Sequence, residues 1–159
     1  MRVICAIGQR GGAELIQRLV EMAGDKAVCL LLHVIDTGPR HGLEHYLRGP
    51  LHRRPYHGRP SHETAFRDAE AAASRAVIEE ALAAAKQAGL KAEATVKEGE
   101  PGEIIVQVAR EANAVLIVMW AREGAAGHPR LGPASVGHTA RFVIDHAPCD
   151  VLLLREKDV

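Results

Sequence analysis

The chain has 159 residues, one domain's worth, of which 47% are apolar, and its 20 basic and 20 acidic side chains balance to a formal net charge of zero. That balance excludes a general attraction to nucleic acid or to an acidic membrane surface, and no apolar run approaches the roughly 20 residues that span a bilayer. Only 3% of residues are aromatic, and the apolar content is mostly Ala, Val, Leu and Ile, which favours helices packed on a sheet over a β-sandwich.

Val3 to Ile7 is a short apolar run stopped by Gly8, and predicts a first strand too short to be the core of a signal peptide. From Ala13 to Ala23 the apolar residues recur at helical spacing, with Gly24 as the stop. Ala27 to Ile35 is almost wholly apolar, the pattern of a strand covered on both faces in a parallel sheet. The stretch 36–61 breaks at short intervals with Gly38, Pro39, Gly42, Gly49, Pro50, Pro55, Gly58 and Pro60, and reads as a long loop. Glu63 to Ala88 predicts a long Ala-rich helix with Ser61 as its cap. Lys91 to Lys97 alternates, with Ala92, Ala94 and Val96 on one face, and predicts an edge strand. Pro101 opens the next helix, Ala114 to Trp120 is a further all-apolar strand, Val136 to His146 a last helix, and Val151 to Leu154 a last strand.

Strands alternating with helices predict one α/β domain over residues 1–159, a parallel sheet with helices on both faces and right-handed crossovers. In such sheets ligands sit at the carboxyl ends of the strands, where the strand order reverses, so the loops after the first and fourth strands are the places for chemistry. Cys5, Cys29 and Cys149 form no C-x-x-C pair; Cys5 and Cys29 fall in predicted strands, as buried inert thiols do. His33 also falls in a predicted strand and reads as a hydrogen-bonded core residue. The cytoplasm is the expected compartment.

Three segments resemble the universal stress protein family: Leu30-Leu31-Leu32-His33-Val34-Ile35-Asp36; Glu98 to Ile105 followed by Ala114 to Met119; and Phe142 to Leu153. The resemblance covers nearly the whole length apart from the long loop. It implies an open five-stranded parallel sheet of order 3-2-1-4-5, of the adenine nucleotide alpha hydrolase-like kind. It also implies a stress-related regulatory protein that binds ATP, AMP or a related adenine nucleotide. Nucleotide-binding relatives carry a glycine, two residues, a glycine, nine residues, then a glycine followed by Ser or Thr. Gly124, Gly127 and Gly137 stand at that spacing, with His138 in the last place and Thr139 next.

Physical chemistry supports the same loop. Glycines admit a phosphate to the backbone N–H groups, a helix N-terminus favours anions, and Arg122, His128 and Arg130 add positive charge. The candidate ligand-binding residues are Gly8, Val34, Met119, Trp120, Arg122, Gly124, Gly127, Gly137, His138 and Thr139. The chain departs from its binding relatives at Gly8, where they carry an Asp that reads adenine. Gly8 offers no side-chain acceptor, so weak discrimination among bases is expected. Trp120 either stacks on a base or fills the pocket.

The loop 36–61 gathers Arg40, Arg48, Arg53, Arg54 and Arg59 with several histidines, and Tyr46 and Tyr56. It is either a solvated insertion or a surface for a protein partner. His41 and His45 are four apart, but no neighbouring ligand completes a metal site, and no metal is required. The alternative function is therefore an interaction subunit of the same fold that binds no nucleotide. No residue is assigned as catalytic, which leaves at most a weak ATPase. The apolar last strand, placed at a sheet edge, implies a homodimer as in the family.

Overall fold

A computed structural model describes residues 1–24, 26–38, 60–121 and 136–155. Nine elements follow one another: β1 (Arg2–Ile7), α1 (Gly12–Ala23), β2 (Val28–Asp36), α2 (Pro60–Gln87), β3 (Lys91–Gly99), α3 (Pro101–Glu111), β4 (Leu116–Trp120), α4 (His138–His146) and β5 (Asp150–Leu154). The five strands form one sheet in the order β3-β2-β1-β4-β5, and every neighbouring pair is parallel.

The all-apolar strands are explained by two cores, one on each face. Val3, Cys5, Ile7, Cys29, Leu31 and Val118 pack with Leu15, Ile16 and Leu19 of α1 and with Ile78, Ala81 and Ala85 of α2. Their neighbours Ile4, Ala6, Leu32, Ile117 and Met119 turn the other way, onto Ile105, Val106 and Ala109 of α3 and Ala140 and Val143 of α4. A strand whose successive side chains point to opposite faces must be apolar throughout when both faces are covered. The outer strand β3 is less covered on its faces than the inner strands, and its side chains are mostly half-buried or exposed. Ala92 and Val96 pack against the α1 and α2 core, while Ala94 is exposed.

Cys5 and Cys29 are both buried free thiols. His33 is 1% exposed, and its Nδ1 donates to the carbonyl oxygen of Ile7 at 2.8 Å. The sequence reading of all three as core residues agrees with this placement.

Several boundaries differ from the sequence reading, each for a local reason. Asp36 closes β2 in register with Gly99 of β3 rather than opening the loop. Pro60 and Ser61 belong to α2, where a proline at the helix start loses no hydrogen bond. β4 begins at Leu116 rather than Ala114, because the N–H of Ala114 is spent on the carbonyl of Ala109 beyond a turn at Asn113, whose φ is 48°. The remaining basic-loop residues, 39–59, lie outside the described residues.

Candidate functional site

The carboxyl ends of β1, β2 and β4 surround the place where the chain order of the sheet reverses. β1 lies in the middle, β2 leads outward on one side and β4 on the other. The connection after β1 passes over one face of the sheet and the helix after β4 packs on the opposite face, which leaves a crevice above β1. A cleft of about 540 Å³ opens there, within the range of small-molecule sites.

Each candidate residue within the described range lines this cleft: Gly8, Val34, Met119, Trp120, Gly137, His138 and Thr139. They come from four separate parts of the chain, and the sheet brings them together. Arg122, Gly124 and Gly127 lie outside the described residues. The floor is apolar, with Ala6, Leu32, Val34, Ile105 and Met119. An apolar floor of this kind suits the flat face of an aromatic ring.

One end of the cleft is the start of α4. Gly137 caps that helix with φ 92° and ψ 163°, a conformation closed to residues with a Cβ, and no side chain caps it. The N–H groups of the first helical turn have no acceptor within the helix, and the helix dipole places partial positive charge beside them. Gly137, His138, Thr139 and Ala140 all line the cleft at this end. The arrangement can hold an anion.

Trp120 does not occupy the apolar floor. Its ring packs against the core beneath α1, and its Nε1 donates to the carbonyl oxygen of Gly11 at 3.1 Å. The indole forms a wall of the cleft and ties the end of β4 to the turn before α1.

Sequence reasoning missed Gln9, Asp36, Pro101, Ile105 and Val136, which also line the cleft. Asp36 had a usable signal, since it stands two residues beyond Val34 at the carboxyl end of β2. Pro101 and Ile105 had none, because only the packing of α3 against the sheet brings them there. Among the described residues no group of three or more His, Cys, Asp or Glu is placed to hold a metal ion. No described helix is long and apolar enough to cross a membrane.

Residues 1–155 match the model of the universal stress protein family. The chain belongs to that family. A stretch of 60 residues is 40% identical to universal stress protein E of Photorhabdus laumondii, covering 38% of this chain and 18% of that protein. The matched part of this universal stress protein thus spans less than a fifth of that relative's length. In three dimensions the chain is similar to the universal stress protein UspA from Lactobacillus plantarum, with a TM-score of 0.70, 22% identity and coverage of 98% and 97% of the two chains. It is also similar to a family member from Arabidopsis thaliana solved with AMP bound, with a TM-score of 0.61, 19% identity and coverage of 99% and 92%. Further family structures of like fold were solved in complex with dAMP and with cAMP.

Proposed function

We propose that this universal stress protein is a regulatory protein that binds an adenine nucleotide of the AMP or ATP kind in the cleft above β1. The carrying observation is that the cleft joins an apolar floor to the start of α4, which a glycine opens. The base would lie on Val34, Met119 and Ile105. The phosphate would sit against the first turn of α4, where Gly137 leaves the backbone N–H groups accessible and His138 and Thr139 supply side-chain donors. Nucleotides seen in relatives of the same fold support the reading.

Binding needs no chemistry to follow, since a regulatory protein can act through the difference between its free and occupied forms. Calorimetric titration with AMP, ATP and inorganic phosphate tests the proposal. Saturable binding of AMP or ATP is expected. Failure of all three at millimolar concentration would overturn it, and would favour the interaction subunit instead.

The protein is also proposed to act as a cytoplasmic homodimer. β5 stands at an edge of the sheet with apolar residues Val151 to Leu154. Backbone groups on an open edge favour pairing with a second copy around a two-fold axis.

A further inference from the structure

We infer that the carboxylate of Asp36 accepts a hydrogen bond from the exocyclic amine of the bound base, and so selects adenine over a base with an oxygen at that position. The inference rests on the nucleotide reading above and adds its specificity.

Among the described residues that line the cleft, Asp36 alone carries a side chain with a full charge. Its Oδ1 accepts from the N–H of Gly38 at 2.8 Å, a tight turn of the kind Asp makes with its own backbone. The second oxygen has no hydrogen-bond partner among the described residues. The carboxylate is therefore fixed in orientation before any ligand arrives, with one oxygen left to accept.

The two ends of the cleft are opposite in character. The start of α4 offers donors, and Asp36 offers an acceptor with negative charge. A phosphate is repelled by Asp36 and drawn to the helix, which fixes the direction of a nucleotide in the cleft. β2 and β4 are separated by β1 alone, so their ends lie two strand spacings apart, about 10 Å, and α4 packs on β5, beyond β4 as seen from β2. Ribose hydroxyls stay close to the phosphate end of a nucleotide and do not cover that span. The amino edge of the base lies at the far end and does. Gly8, at the end of β1, has no side chain to take this part.

An amine pointed at a carboxylate makes a charge-assisted hydrogen bond, whereas a carbonyl oxygen in the same place meets a second acceptor. AMP and IMP differ at position 6, an amine against an oxygen, and at the neighbouring nitrogen, which carries a hydrogen only in IMP; they form the natural pair of probes. Ribose 5-phosphate reports the phosphate end alone. The expected result is that the wild-type protein binds AMP at least about tenfold more tightly than IMP, a discount on a fully buried site because Asp36 is exposed. Asp36→Asn keeps an acceptor for the Gly38 N–H, so the turn survives. With its oxygen on the Gly38 N–H, the amide turns its NH2 to the base, which donates to the oxygen of IMP and opposes the amine of AMP, so the preference should vanish or reverse. Asp36→Ala should also lose the preference, and ribose 5-phosphate should bind all three proteins alike. Equal binding of AMP and IMP to the wild type, or an unchanged preference in Asp36→Asn, overturns the inference while leaving nucleotide binding intact. No binding of AMP, IMP or ribose 5-phosphate at millimolar concentration overturns the nucleotide reading, and this inference with it.

Discussion

Trp120, the last residue of β4, donates its indole N–H to the carbonyl oxygen of Gly11, which caps α1, at 3.1 Å. The two residues are 109 positions apart in the chain. Their contact ties together the two sides of the crevice at which ligands are expected. Trp120→Phe removes the donor but keeps a ring, and should cost about 1 kcal/mol in urea unfolding. Trp120→Ala should cost about 2 kcal/mol, below the usual loss for a core tryptophan because the ring is only half-buried. Both should weaken nucleotide binding by loosening the wall. Tighter binding in Trp120→Ala would show that the ring obstructs the ligand instead.

Gly102 and Phe142 set how closely α3 and α4 approach. A Cβ placed on Gly102 would lie 2.8 Å from Cδ1 of Phe142 and 3.1 Å from its Cβ. Phe142 is also held on its other side, stacked on His146 at a centroid distance of 4.2 Å. Gly102→Ala should therefore push the two helices apart, at a cost of about 1–3 kcal/mol. Phe142 lies one turn from the start of α4, so the displaced helix should also bind AMP less tightly. The double variant Gly102→Ala with Phe142→Ala removes two of the three crowded atoms and should recover part of both losses. Unchanged AMP affinity in Gly102→Ala, with stability reduced, would separate the helix contact from the site.

Alkaline pH should weaken the fold through Cys5. Its hydrogen bond with Cys29, and then its burial, push the Cys5 thiol well above the ordinary range, while the same bond draws Cys29 down and offsets part of the effect. An acid raised on folding keeps its proton in the native state at a pH where the unfolded chain has lost it. Its contribution is therefore complete below the unfolded value, about 8.5, and declines as pH rises beyond it. The melting temperature should fall above that pH. Cys5→Ala should start lower, because a core methyl replaces a thiol, but should show a shallower alkaline slope. Parallel slopes in the two proteins would rule Cys5 out as the cause.

The dimer proposal needs a probe that respects the side-chain directions in β5. Leu153 packs against the core beneath α3 and α4, so Leu153→Arg would damage the core and report poorly on the edge. Light scattering over a dilution series is the better measurement. A mass near twice 17.1 kDa is expected at micromolar concentration, and a single-chain mass at all concentrations refutes the dimer.

Much of this architecture was legible because two covered faces leave the buried positions of β1, β2 and β4 almost wholly apolar, His33 apart. Runs such as Val3 to Ile7 are strands for that reason, and the helices between them show their own period. The strand ends were less legible. Asp36 sits among glycines and prolines that suggest a loop, yet pairing with Gly99 holds it in the sheet. Trp120 was ambiguous because its surroundings depend on which face of β4 it takes, and only the packing of that face against the core beneath α1 and α2 shows it. Gly102 reads as a poor helix residue. Its value appears only where Phe142 needs the space.

The sheet divides the interior into two cores, and the cleft draws walls from both. Ile7 and Trp120 belong to the layer beneath α1 and α2, while Ala6, Leu32 and Met119 belong to the layer beneath α3 and α4. Any molecule seated there touches two packing units that lie on opposite faces of one sheet. Its arrival would slow the breathing of both together, and its departure would release them. A chain built this way can signal occupancy through the exchange rates of its amides without a visible change of shape.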